Sequence, residues 1–168
     1  MTIKERQFDD NVRGGHAGKE RKVPTIRKES VSELKDVPDL IKRVIVMDKE
    51  GHERHFFRHT NPNGATGGFV ESTASAGSEV FIDKKSTVEE EATVTGDVRL
   101  LNGARVYGDA VVMAKEGSRI TINNSEICDE VTINASQKKH ILVKDSVVSG
   151  DYAYHNVSMD GETRSDRK

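Results

Sequence analysis

The stretch VESTASAGSEVFIDKKSTVEEEATVTGDVRLLNGARVYGDAVV, residues 70–112, reads in sixes. Its lead positions are Val70, Ala76, Ile82, Val88, Val94, Leu100, Val106 and Val112, all aliphatic or alanine. Four places after each comes a second, mostly small residue: Ala74, Val80, Ser86, Ala92, Val98, Ala104 and Ala110. A helix repeats every 3.6 residues and an ordinary strand every 2, so neither produces this spacing. A coil of three short sides does, with one hexad per side, and the repeat predicts a parallel β-helix.

Each hexad has to form a short strand and then a corner. The aliphatic lead residue points into the narrow bore, and the small residue four places on faces inward near the corner, where a large side chain has no room. Turn-tolerant polar residues fill the gaps: Lys84-Lys85, Glu90-Glu91, Gly96-Asp97, Asn102-Gly103 and Gly108-Asp109. Gly and Asn accept the positive φ that a tight corner demands. One rung buries little, so stability comes from stacking many rungs about 4.8 Å apart.

After Val112 the strict period breaks. Residues 113–118 read as a longer connection. A second pattern follows in Ile120-Thr-Ile122-Asn-Asn-Ser125-Glu-Ile127 and returns in Ile141-Leu-Val143-Lys-Asp-Ser146-Val-Val148. The two copies are offset by three hexads plus three extra residues, with Val131 and Ile133 between them and an insertion near Ser136-Gln137-Lys138-Lys139. The expected solenoid therefore covers residues 68–150 in four or five coils.

The flanks read differently. Residues 1–30 are charged and polar, an extended or disordered arm whose Ile3, Phe8, Val12 and Ile26, with Arg13, Arg21 and Lys22, are spaced as anchors for another surface. Residues 31–67 hold a short helical turn before Pro38 and a β-hairpin, Arg43-Val-Ile-Val-Met47 returning through His52 to Phe57, which is placed to cap the bore. A Gly-rich lead-in, residues 64–68, follows; it lacks the Lys-Ser/Thr ending of a phosphate loop. Residues 151–168 read as a polar tail, with Tyr152 and Tyr154 closing the last coil.

Composition narrows the function. The chain has 168 residues, 34% hydrophobic and 32% charged, with a net charge of −2. That charge gives no basic field for nucleic acid. The interleaved acids in the arm, and the scarcity of aromatics, favour a protein-binding role for it over a nucleic-acid one. One cysteine, Cys128, allows no intrachain disulfide and reads as a small packed residue. With no signal peptide and no long apolar run, the expectation is a protein made and folded in the cytoplasm, without a membrane partner.

The repeat resembles that of the hexapeptide-repeat, left-handed parallel β-helix superfamily over about half the chain. The lead-in Asn61-Pro62-Asn63-Gly64, then Gly67-Gly68-Phe69-Val70, is similar to that of bacterial and phage proteins described as transferase-like hexapeptide proteins. The resemblance implies an all-β, left-handed coil and a homotrimer. It does not fix a chemistry, because the superfamily holds acyltransferases, nucleotidyltransferase domains, carbonic anhydrases and non-catalytic members.

Acyl transfer on this fold needs a histidine base and a groove for an acyl-CoA donor, and His140 is the histidine within the expected coils. It lacks a partner carboxylate at obvious register. The carbonic anhydrase branch needs three histidines from neighbouring coils, which this chain does not supply. His52, His55 and His59 form a separate cluster, a weak metal candidate because a hairpin turns His52 and His55 to opposite sides. The expectation is a non-enzymatic structural protein with no cofactor. It would be a trimeric knob tied by its arm to a larger protein assembly, with a virion, as capsid decoration or as tail or neck component, the concrete setting. The alternative is a small acyltransferase that uses His140.

Overall fold

The computed structural model describes residues 23–165. Of the expected arm anchors, Ile3, Phe8, Val12, Arg13, Arg21 and Lys22 lie outside the described residues, and Ile26 lies within them.

The chain opens with β1 (Thr25–Lys28), a 3₁₀ helix (Val31–Asp36), and the strands β2 (Arg43–Met47) and β3 (Glu53–Thr60). The solenoid follows. Its first coil is β4 (Thr66–Glu71), β5 (Ser75–Ala76) and β6 (Phe81–Ile82). The second is β7 (Thr87–Val88), β8 (Thr93–Thr95) and β9 (Val98–Leu101). The third is β10 (Arg105–Val106), β11 (Val111–Ala114) and β12 (Arg119–Asn123). The fourth is β13 (Glu126–Ile127), β14 (Thr132–Ala135) and β15 (His140–Lys144). The fifth is β16 (Val147–Val148), β17 (Ala153–His155) and β18 (Met159–Asp160), and β19 (Thr163–Arg164) begins a sixth.

Three sheets run the length of this parallel β-solenoid. Sheet A has the order β1-β2-β3-β4-β7-β10-β13-β16-β19, sheet B β5-β8-β11-β14-β17 and sheet C β6-β9-β12-β15-β18. Every pairing between coils is parallel. The lead residues stack as the repeat predicts: Val70 beside Val88 and Val106, Ala76 beside Val94 and Val112, Ile82 beside Leu100. Six of the eight are fully buried, and Val70 and Ala76 at the open first coil are partly so. Of the seven small corner residues, Val80, Ser86, Ala92, Val98, Ala104 and Ala110 are also fully buried.

The extra residues of the later coils enter at one corner, between sheets B and C. Lys115-Glu116-Gly117 occupies it in the third coil and Ser136 to Lys139 in the fourth. The corner between sheets A and B keeps its length, and the corner between sheets C and A loses one residue from the third coil on; both are held by residues at positive φ, Glu90, Gly108, Asp129 and Gly150 at the first, Asn102, Asn124, Asp145 and Gly161 at the second. Side chains link successive coils there. Gly108 N–H donates to the Glu90 carboxylate at 2.6 Å, and Asn124 Nδ2 donates to Asp145 at 2.7 Å. The carboxylate or amide at such a place both tolerates the left-handed backbone and satisfies the neighbouring coil.

The coils run on past Ser149, where a polar tail was expected. β17 pairs with β14, β18 with β15 and β19 with β16. The fifth coil is shortened, with Val148 paired to Arg164, and its inward places go to Tyr154 and Met159 rather than to aliphatics, so the six-residue signal is lost. Tyr154 takes the inward place in register with Ile133, and Arg164 lies 5.3 Å above its ring. Tyr152 stays 41% exposed beside it.

The expected hairpin is present, β2 pairing antiparallel with β3 and β3 with β4. It prolongs one wall of the solenoid. Phe57 stands in register with Val70 and remains 41% exposed, so the hairpin does not lie across the bore. A second small core, Val44, Val46, Phe56 and Phe69 beneath Leu34 and Val37 of the 3₁₀ helix and its exit, covers the outer side of that wall. Ile26 packs against it, because β1 pairs parallel with β2 and sets Ile26 beside Val44. Arg58 fixes this layer. Its guanidinium lies 4.1 Å from the Phe69 ring centroid and donates to the carbonyls of Ile41, Val37, Pro38 and Gly67.

Candidate functional site

Polar groups concentrate on the outer side of sheet A, where the wall meets the first three coils. Alternation along β4, β7 and β10 turns Val70, Val88 and Val106 inward and Phe69, Thr87 and Arg105 outward in one ladder. Glu71 and Glu89 follow two places after Phe69 and Thr87, so the same rule places them on the outer side next to Arg105. Arg54 reaches them from β3.

Arg54 donates to Glu71 through Nε (2.9 Å) and Nη2 (2.7 Å), and Nη2 lies 3.4 Å from Glu89. Arg105 grips the same Glu89 through Nε (2.9 Å) and Nη2 (3.0 Å), and Thr87 Oγ1 donates to it at 2.6 Å. Glu71 also accepts the N–H of Glu90 at 2.6 Å. The two carboxylates are almost fully covered, at 7% and 2% side-chain exposure. Stacking completes the cover, with Arg54 over Phe56 and Arg105 over Tyr107. The Tyr107 hydroxyl donates to Glu126 at 2.9 Å and carries the stripe into the fourth coil.

The proton equilibria follow from this packing. Burial is the largest influence on Glu89 and pushes its carboxyl up. The hydrogen bonds and charge of Arg105, the Thr87 hydroxyl and the charge of Arg54 outweigh it together, so Glu89 ionises below the usual carboxylate range. Hydrogen bonding to Glu71 raises Arg54, and hydrogen bonding to Glu89 raises Arg105. Burial raises both the Tyr107 phenol and the Cys128 thiol. Cys128 is buried with Sγ 3.7 Å from the Val148 carbonyl, the packed position its sequence suggested, and a raised thiol is a poor nucleophile. The two buried carboxylates of the stripe are held by Arg54, Arg105, the Thr87 hydroxyl and the Glu90 N–H. The stripe is a brace.

The expected histidine sites are dispersed. His140 begins β15, exposed and in register with Arg119, beside Lys138 and Lys139. A second histidine, His155, lies in the coils because they extend further than expected. His55 meets Glu53 at 3.2 Å, and His59 Nε2 meets the Val80 carbonyl at 2.6 Å. His52 lies in the hairpin turn, 3.3 Å from Asp48. Among the described residues, the one group of three metal-ligating side chains is Asp48, Glu50 and His52, with donor atoms within 4.8 Å of one another. It is not the His52, His55 and His59 set. Asp48 is occupied by the turn itself, accepting the N–H groups of Glu50 and His52.

The lead-in turn does a task that its sequence did not signal. The Asn61 side chain is buried and pairs with Ile82 like a strand, Nδ2 donating to the Ile82 carbonyl at 3.0 Å and Oδ1 accepting its N–H at 2.8 Å. With His59 on Val80, it closes the first edge of sheet C, which would otherwise present unpaired backbone groups. Gly68 is required beneath it, since a Cβ there would run into the Ser86 and Asp83 carbonyls. Next to this turn lies an open cleft of about 550 Å³, floored by Phe81 and rimmed by Asn63, Glu79, Asp97 and Arg99.

Comparison with family profiles, with curated proteins and with solved structures finds no match to this chain. No helix among the described residues is long and apolar enough to cross a membrane.

Proposed function

We propose that this chain is a non-enzymatic structural protein, a trimeric β-solenoid knob held on a larger assembly by its N-terminal arm. The setting that fits is a virion, as capsid decoration or as a component of a phage tail or neck. On this reading the coil is left-handed and the chain is a member of the hexapeptide-repeat superfamily, a kinship that rests on the repeat of residues 70–112. The observation that carries the proposal is the continuity of sheet A. The strand β1, in the last part of the 1–30 arm, is hydrogen-bonded into the same nine-stranded sheet that every coil joins. An attachment made by the arm is therefore coupled to the whole rigid body, as a knob or spacer requires. The stripe from Arg54 to Arg105 braces that junction.

The test is a pull-down from the native source with the full chain beside a version lacking residues 1–22. The cut falls before β1, so the described body is left whole. Recovery of capsid or tail proteins by the full chain alone is expected. Equal recovery by both versions, or none by either, overturns the role of the arm. Threefold attachment would make modest contacts tight.

A further inference from the structure

The three outer faces of the solenoid differ in charge. Sheet A carries Glu71, Glu89, Arg105 and Glu126, and sheet C carries Arg99, Arg119 and Lys144. The outward places of sheet B in the three middle coils are Thr93, Thr95, Val111, Met113, Thr132 and Asn134. None is an acid, a lysine or an arginine, in a chain that is 32% charged. The outward places of β5 and β17 add none. All six are half-buried rather than covered.

The two edges of this face are oppositely charged over the third and fourth coils. The corner leading into sheet B carries Asp109 in the third coil and Asp129 with Glu130 in the fourth. The corner leading out carries Lys115 in the third coil and Lys138 with Lys139 in the fourth, Glu116 being its one acid. All of these side chains are exposed, and none forms an ion pair with another described residue. An uncharged centre with a charged rim is the usual plan of a protein interface. Here the rim is complementary to itself. When copies pack in parallel around an axis along the bore, equal heights meet, and the acidic edge of one copy faces the basic edge of the next. An antiparallel pair would set acid against acid.

We infer that the outer face of sheet B, with its acidic and basic edges, is the subunit interface, and that its occupant is a second copy of this chain running parallel to the first. This rests on the trimeric reading above and names the surface that makes it.

The measurement is molar mass by light scattering and sedimentation at micromolar concentration, with circular dichroism to check that each variant is folded. The natural chain is expected at three times 18.6 kDa. Met113→Glu, which puts a charge in the uncharged centre, is expected to yield a folded monomer. Lys138→Glu with Lys139→Glu, or Asp109→Lys with Glu130→Lys, should weaken association at least tenfold. All four changes together should restore it, and added salt should weaken the natural trimer. A trimer that survives Met113→Glu, or a four-fold exchange that fails to restore association, overturns the face while leaving the trimer standing. A monomeric natural chain overturns both.

Discussion

Glu89 and Arg105 face each other across two coils through paired bonds of 2.9 and 3.0 Å, and the carboxylate is all but removed from water. Such a pair contributes little when compared with two well-packed apolar groups, but removing one partner strands a buried charge. Arg105→Ala should therefore destabilise the fold by about 1–3 kcal/mol, since Thr87 and Arg54 still hold Glu89 and Arg105 is itself 37% exposed. Replacement of both residues by methionine should cost far less. Urea unfolding of the two single variants and the double variant measures this, and a double variant as unstable as Arg105→Ala would contradict it.

The same pair sets an acid limit. The folded state holds Glu89 below its ordinary range, so near that range the unfolded chain binds more protons than the folded one, and stability rises with pH. The contribution is fully present above the unfolded value of about 4.3 and is lost as pH falls through the folded value. Asp39, Asp48 and Glu53 are shifted in the same direction by Lys84, the His52 backbone and Arg27. The urea midpoint should be flat from neutral pH down to about 5 and fall below that. Glu89→Gln should flatten the fall, and an unchanged slope would exclude Glu89 as a contributor.

Asn61→Ala should leave the Ile82 N–H and carbonyl unpaired in a buried place, at a cost of about 1–3 kcal/mol for each unsatisfied group. Hydrogen exchange at the Ile82 amide should accelerate before that at Leu100 or Ile122, which lie deeper in the same ladder. Equal acceleration at all three would mean global loosening instead of an opened edge.

Gly68→Ala should be poorly tolerated although Gly68 lies in a strand, because the added Cβ meets two backbone carbonyls that cannot move aside. Overpacking of this kind costs about 1–3 kcal/mol. Gly103→Ala meets no atom and is strained only by its positive φ. Thermal unfolding of the two variants side by side distinguishes steric from conformational cost.

If the chain is not an acyltransferase, acetyl-CoA at millimolar concentration should leave the melting temperature unchanged, and His140→Ala should behave as the natural chain does. A ligand at 100 times its dissociation constant would stabilise by about 2.7 kcal/mol, which a thermal shift detects readily.

The coils were legible because the bore admits one residue type at a fixed interval, and residues 70–112 show it without interruption. The net lengthening by three residues per coil was legible too, because the pattern of residues 120–127 returns at 141–148. The fifth coil was not, since Tyr154 and Met159 take the inward places over a shortened turn. Nor was the stripe of Arg54, Glu71, Glu89 and Arg105. Its members are separated by up to 51 positions, and each alone reads as a solvated surface charge. The pairing exists only once successive coils bring them into one ladder. Asn61 stands in the lead-in; that its amide substitutes for a missing strand follows from the free edge of β6, which a sequence does not display.

The nine strands of sheet A lie side by side along the long axis, so a pull entering at β1 loads their ladders in series. Many of those ladders are only two residues wide. The ion pairs from Arg54 through Glu71 and Glu89 to Arg105, with Arg119 on Asp97, run across the junctions nearest the point of attachment. Among the described residues none crosses between the third, fourth and fifth coils. The root is thus braced by side-chain charge, whereas the third and fourth coils are held by wider ladders, of four pairs between β11 and β14 and five between β12 and β15.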